Sequence, residues 1–238
     1  MNIIISPAKQ MKFIDDFHLQ TSKPIFLKEA KKLSHHLSSL NYDELKNVMN
    51  CSEAIAKKTY ALYQNISFDH DLTPSLLSYQ GIQYQYMANQ VFTDDEYEYL
   101  QKHLRILSGL YGILRPFDEI TIYRLEMQAK CPFSLYEFWS DKLANALEED
   151  ILLNLASEEY AKCIRKYKPL IDVKFCQEEN GKLKEKGVYA KMARGAMVRY
   201  LAEIKASTIE QVKSFDQLHY QYSKEHSTPS KLIFIQKQ

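Results

Sequence analysis

Apolar positions along the chain fall into short blocks of two different periods. Ile3, Ile4 and Ile5 form a continuous β-branched run that Ser6-Pro7 stops, which predicts a short buried strand from Asn2 to Ile5. Ala30, Leu33, Leu37 and Leu40 recur at helical spacing and predict an amphipathic helix over 28–40. Further helical stretches follow near 43–50 and 53–64, whereas Ile82, Tyr84 and Tyr86 alternate and predict a strand over 79–86. Thr93-Asp94-Asp95-Glu96 has the form of a capping box. It opens a helix that carries Tyr97, Leu100, Leu104 and Leu107 and is expected to end at Ser108-Gly109. Residues 151–156 read as a buried strand, and Ser157 as the N-cap of a helix through about 166. Strand-like runs at 170–176 and 182–188 flank Asn180-Gly181, a strong hairpin signal. A helix over 190–204, a short one capped by Ser207-x-x-Glu210, and strands at 218–222 and 231–236 complete the pattern. Helices and strands intermingle without a strict βαβ rhythm, and no linker or repeat interrupts them. The expected architecture is a mixed α/β (α+β) single compact domain over 1–238, a mixed sheet surrounded by helices.

Composition narrows the class. The 238 residues are 45% hydrophobic and 26% charged, ordinary globular values that exclude a disordered chain. No apolar run approaches the roughly 18 residues of a membrane span, and MNIIISPAKQ lacks the basic start of a secretory leader. Four cysteines without a CxxC pair speak against a disulfide framework and a cysteine-rich zinc site. The expected place is the cytoplasm, with no membrane partner. The net charge of +1 conceals a division: residues 162–205 hold 12 Lys/Arg against 5 Asp/Glu, leaving the rest acidic. Such segregation points to an anionic partner, or to a solvated lysine-rich face.

Chemistry concentrates in three places. On the 190–204 helix, Met192, Ala193, Ala196, Met197, Tyr200, Leu201 and Ile204 share one half of the wheel. Lys191, Arg194 and Arg199 take the other half with Gly195 and Ala202 between them, Val198 being the apolar exception. Long cations separated by tiny residues suit close approach of a phosphate backbone, and they also suit an ordinary surface helix. In LRILSGLYGILRPFDEITIYRLEM (104–127), Ser108, Gly109 and Gly112 can form a tight turn whose amides face a phosphate, as in a helix–hairpin–helix, with Arg105, Arg115 and Arg124 nearby. A helix C-cap followed by a structural turn is the competing reading. Asp118, Tyr123 and Glu126 crowd the same stretch, either as acid–base groups or as partners of its arginines. Lys9 follows the first strand, where α/β sheets favour ligands, without the glycines of a P-loop. No metal motif and no nucleophile–base order stands out.

Taken together, IIISPAK at 3–9, the 104–127 block, YEFW at 136–139, NLASEEY at 154–160 and YAKMARGAMVRY at 189–200 resemble the successive signature blocks of the YaaA family, the bacterial peroxide-stress response family. The resemblance spans nearly the whole chain. It implies a cytosolic protein that limits peroxide damage to DNA and protein by keeping unincorporated iron low. It also implies a compact α/β fold with a helix–hairpin–helix element and a basic cleft that binds duplex or branched DNA. No required cofactor and no secure enzymatic reaction come with it. Carried over by residue, Lys9, Ser108, Gly109, Gly112, Arg115, Asp118, Tyr123, Arg124, Glu126, Lys191, Arg194, Gly195 and Arg199 match family positions expected to line that cleft. Gln128 and Tyr86 stand where the family usually has glycine, which bears on local loop shape. The rival expectation is an enzyme acting on a small phosphorylated or nucleotide-like ligand. A narrow pocket holding Lys9, Arg124 and Glu126 together favours it, and an open groove favours DNA. Direct iron storage is disfavoured, since no paired Glu-x-x-His set or cysteine cluster is present.

Overall fold

The computed structural model describes residues 1–237. In chain order the first part comprises β1 (Asn2–Ile5), β2 (Gln10–Met11), α1 (Leu27–Ser39), α2 (Tyr42–Met49), α3 (Glu53–Gln64), β3 (Thr73–Pro74), α4 (Ser75–Ser78), β4 (Tyr79–Gln80) and α5 (Ile82–Met87). The middle holds α6 (Asp94–His103), β5 (Leu104–Ser108), β6 (Gly112–Leu114), β7 (Glu119–Ile120), α7 (Leu135–Trp139), α8 (Lys142–Asn145), β8 (Leu152–Asn154) and α9 (Glu158–Arg165). The remainder is β9 (Ile171–Glu179), β10 (Lys182–Lys184), α10 (Gly187–Glu203), α11 (Ile209–Lys213), β11 (Tyr220–Tyr222) and β12 (Lys231–Gln236).

An eight-stranded sheet organises these elements in the order β11-β12-β9-β8-β1-β5-β6, with β10 paired to β9. Its centre, β12-β9-β8-β1-β5, is parallel, and β11 and β6 add antiparallel edges. β1 lies inside the sheet between β5 and β8, Ile3 pairing with both Leu104 of β5 and Leu153 of β8. Both faces of a central parallel strand are covered, so every side chain of the Ile3–Ile5 run is fully buried. The connectivity runs from β1 outward to β5, then returns past β1 to β8 and onward to β9 and β12. The strand order therefore reverses between β1 and β8. α10 packs along α5 and also reaches β9, and α6 covers β1 and β5. One apolar core runs from Met1 to Phe234.

Most predicted elements are present within a few residues. The Thr93–Glu96 capping box forms on both sides. Asn180 and Gly181, at φ of 51° and 70°, turn the β9–β10 hairpin. Four expectations are corrected. The helix opened by Thr93 ends at His103, and 104–108 is strand β5. A short apolar run suits either period, and pairing with the buried Ile3–Ile5 edge decides it. Consequently the Ser108–Gly112 turn joins two antiparallel strands, so this stretch is a β-hairpin and not a helix–hairpin–helix. Residues 82–87 form helix α5, which buries Gln83, Tyr84 and Met87 at helical spacing and leaves Tyr86 exposed. The last short helix is capped by Thr208 with Gln211, one residue beyond Ser207-x-x-Glu210.

Candidate functional site

A cleft of about 530 Å³ opens where the strand order reverses. Loops at the carboxyl ends of parallel strands diverge at such a point and leave room for a ligand. Here the loop after β1, Ser6-Pro7-Ala8-Lys9, faces the start of α9, which follows β8. Pro7 cannot extend the ladder, so the chain leaves the sheet there. Three hydrogen bonds fix this corner: Ser157 N–H donates to Ser6 Oγ at 2.8 Å, Ser6 Oγ–H reaches Ser157 Oγ at 3.2 Å, and Tyr84 O–H donates to the Ser6 carbonyl at 2.9 Å. With its hydroxyl so engaged, Ser157 makes no side-chain cap on α9.

The second wall is Tyr123–Glu126. Beneath it, a buried chain of hydroxyls links Tyr79 to Tyr123 at 2.6 Å and Tyr123 to Ser108 at 2.7 Å. Ser108 Oγ in turn accepts from Tyr111 N–H at 2.9 Å. Burial pushes the Tyr123 phenol up to about 12, so it stays protonated at neutral pH. Tyr63 O–H holds the Arg124 carbonyl at 2.9 Å. Gly109 lies directly under this segment: a Cβ there would come within 2.3 Å of the Leu125 carbonyl oxygen. At the cleft surface Glu126 is held between two cations, Arg124 Nη2 at 2.8 Å and Lys9 Nζ at 3.3 Å.

Helix α10 supplies Lys191 and Arg194, and α5 supplies Gln83 and Tyr84. Lys191 is exposed, whereas Arg194 is only 9% exposed and gives Nη2 to Glu185 at 3.0 Å. Gly195 sits where α5 crosses α10, since a Cβ would lie 2.1 Å from the Gln83 carbonyl oxygen. Val198 and Ala202 are also fully buried. The expected solvent-facing cationic stripe is thus a buried helix crossing, and the small residues admit the protein's own backbone.

The structure divides the sequence candidates accordingly. Lys9, Tyr123, Arg124, Glu126, Lys191 and Arg194 line one cleft. Ser108, Gly109 and Gly195 support its walls from behind. Gly112, at φ 73°, packs on Trp139 and Leu143. Arg105 turns back on the carbonyls of Gln101 and Leu104 at 3.2 and 2.7 Å. Arg115 pairs with the fully buried Asp118, whose carboxylate also accepts from Ser22 Oγ–H at 2.7 Å. Arg199 pairs with Glu203 at 2.8 Å and lies 5.2 Å over the Phe92 ring. Gln83, Glu159 and Tyr160 also line the cleft, and none of the three was a sequence candidate for the site. Gln83 carries no charge to mark it, and Glu159 and Tyr160 lie in the 154–160 family block, which gave no role to either residue.

Chemically the cleft presents four cations and two carboxylates, Glu126 and Glu159, and it suits an anion that also offers hydroxyl or amine donors. Burial raises the Cys163 thiol to about 12 and pushes Cys131 and Cys176 upward, so these three remain thiols at neutral pH. Among the described residues, no group of three His, Cys, Asp or Glu is placed to hold a metal ion. No helix among them is long and apolar enough to cross a membrane.

A family model described as peroxide stress protein YaaA matches residues 1–226. The chain belongs to the YaaA family of peroxide stress proteins. Its relatives carry the name UPF0246 protein. That of Lachnoclostridium phytofermentans is 47% identical, covering 99% of this chain and 96% of the relative. Those of Desulfitobacterium hafniense and Lactiplantibacillus plantarum are both 45% identical, each covering 99% of this chain and 98% and 99% of the relative. Of the family blocks, 3–9, 104–127, 154–160 and 189–200 each send residues to the cleft, the long ones only through 123–126 and through Lys191 and Arg194, and 136–139 sends none.

Proposed function

We propose that this protein is a cytoplasmic member of the peroxide response that binds DNA by gripping backbone phosphates at the cleft of Lys9, Arg124, Lys191 and Arg194. The observation that carries this reading is the convergence of those four cations, from three distant segments, on one concavity. Each is held by the fold or stands at the rim, so a strand laid across the mouth meets Lys9 and Lys191 first. Oxidative damage is limited at the DNA itself, and the lowering of free iron is an indirect effect. The test is a salt titration of binding to labelled duplex and branched DNA, comparing wild type with Lys9→Glu/Lys191→Glu. Both side chains are exposed, so their charge reversal leaves the core intact. Affinity is expected to fall with salt at a slope of about −0.9 per phosphate neutralised, and to be largely lost in the variant. Salt-independent binding, or normal binding by the variant, overturns it.

A second reading has its own support. The volume of about 530 Å³ lies within the range of small-molecule sites, roughly 300–1,000 Å³. Lys9, Arg124 and Glu126 form one connected network inside it. On this reading the cleft is an enzyme site for a phosphorylated, nucleotide-like molecule, and a screen of such metabolites by thermal shift tests it.

A further inference from the structure

The cleft contains donors that the protein does not use. Six buried side-chain polar atoms lack a hydrogen-bond partner among the described residues, and three of them belong to the cleft lining: Gln83 Nε2, Arg124 Nε and Arg194 Nε. Gln83 and Arg194 are 7% and 9% exposed. A buried donor without a partner costs stability unless something accepts from it. All three are N–H groups, so the missing partner is rich in acceptors. A fourth source of donors faces them. α9 is eight residues long, its first turn lines the cleft, and it lacks a side-chain cap. Glu158 and Glu159 stand in that turn and meet part of the helix dipole, and the Tyr160 amide bonds back to the Ser157 carbonyl at 3.1 Å, which leaves the amides of Glu158 and Glu159 for an acceptor.

Charge narrows the class of acceptor. Four cations against two carboxylates leave the lining at +2. Glu185, which reaches Arg194 from just past β10, holds Lys174 as a second partner at 3.4 Å, so together they leave that balance unchanged. An internal phosphodiester carries one negative charge, whereas a phosphomonoester carries about −1.5 to −2 at neutral pH and exposes three acceptor oxygens.

We infer that the cleft is a phosphomonoester site, formed by Gln83, Arg124, Arg194 and the start of α9, which takes a terminal phosphate on a nucleotide or on a DNA strand end. This rests on the phosphate-binding reading above and narrows it. Lys9 and Lys191 at the rim hold whatever continues from that phosphate. Glu126, fixed between Lys9 and Arg124, is an acceptor for a sugar hydroxyl or base amine.

The experiment has two arms. One compares a short duplex carrying 5′-phosphates with the same duplex carrying 5′-hydroxyls. The other compares adenosine 5′-monophosphate with adenosine. The phosphorylated form is expected to bind about tenfold more tightly, as charge-assisted hydrogen bonds require. Gln83→Met and Arg194→Lys each remove the unpartnered donor while keeping shape or charge, and each is expected to erase most of that preference, seen as the ratio of phosphorylated to hydroxyl-ended affinity within the same variant. Preference in the duplex arm alone identifies a strand end as the source, and preference in the nucleotide arm alone identifies a free nucleotide. If the nucleotide preference appears and neither duplex binds, the inference stands and the DNA reading falls. Equal affinity for both forms in both arms overturns the inference. If the duplexes then still bind in a salt-sensitive way lost in Lys9→Glu/Lys191→Glu, the DNA reading survives alone. A preference that neither Gln83→Met nor Arg194→Lys alters also overturns it, and thermal melting of both variants shows that they are folded.

Discussion

Two stretches of this chain combine arginines with glycines, 104–127 and α10, and the fold spends them differently. In 104–127 the division runs along the sequence. Ser108 through Asp118 is interior, tied to Trp139, Ser22 and the tyrosine cluster, and only 123–126 reaches the cleft. In α10 the division runs along one helix: Lys191 and Arg194 face the cleft, and everything from Gly195 to Ala202 on that side lies under α5 or beside Phe92. Yet the two glycines do the same job. Gly109 receives the Leu125 carbonyl and Gly195 the Gln83 carbonyl. Each of these two glycines marks the close approach of a backbone. Here that backbone is the protein's own, and it is the backbone of the cleft walls.

The sharpest way to break this comparison is to fill the two contacts. Gly109→Ala and Gly195→Ala each place a methyl group on a carbonyl oxygen, and each is expected to cost about 4 kcal/mol in denaturant unfolding, or to abolish the soluble fold. Gly187→Ala, where nothing lies within 4 Å, is the control and stays within about 1 kcal/mol of wild type. If Gly195→Ala folds normally and loses only DNA affinity, the helix crossing is not what requires glycine.

A smaller effect reports on the tyrosines behind the 123–126 wall. The folded state holds the Tyr123 phenol at about 12, above the ordinary value near 10. A raised pKa contributes its full stability below the unfolded value and loses it as pH rises toward the folded one. Stability is therefore expected to fall between about pH 10 and 12. Tyr123's share is on the order of 3 kcal/mol, and Tyr79, Tyr84 and Tyr160, also raised, add to the loss. Denaturant midpoints against pH measure this, and Tyr123→Phe shallows the slope. A flat profile to pH 12 contradicts the burial of the cluster.

The smallest expected effect separates the two ends of α10. Arg199→Gln removes a partly exposed ion pair with Glu203 and weaker contacts to the Met87 carbonyl and the Phe92 ring, and is expected to cost about 1 kcal/mol, leaving DNA affinity unchanged. Loss of binding in this variant, measured beside Arg194→Gln, brings the far end of α10 into the site and removes the distinction.

Much of the fold was legible because local chemistry and tertiary context agree. The Thr93 capping box, the Asn180-Gly181 turn and the Ile3–Ile5 run each specify their element from within. Misreadings arose where a neighbour decides. Leu104 and Leu107 sit at helical spacing from Leu100, yet the edge of β1 recruits 104–108 as a strand. Tyr84 and Tyr86 alternate, yet α10 demands a helix whose buried positions are Gln83, Tyr84 and Met87. The cleft was legible in its charges, Lys9, Arg124, Glu126, Lys191 and Arg194. It was not legible in Gln83, and the start of α9 showed only as part of the 154–160 block without a role, because both acquire meaning only when the loops after β1 and β8 meet.

The place of β1 has a consequence for synthesis. β1 is made before every other strand of its sheet, yet it is an interior strand and waits for both neighbours. Its partner residues Leu104 and Leu153 arrive about 100 and 150 residues later, which at about 5–20 residues per second is roughly 5–30 s. During that interval a β-branched apolar segment is present with two open edges, a template for pairing with another chain. Pro7, placed immediately after Ile5 and Ser6, limits how far such a pairing can extend. The same proline that turns the chain into the cleft thus also guards the nascent strand against misassembly.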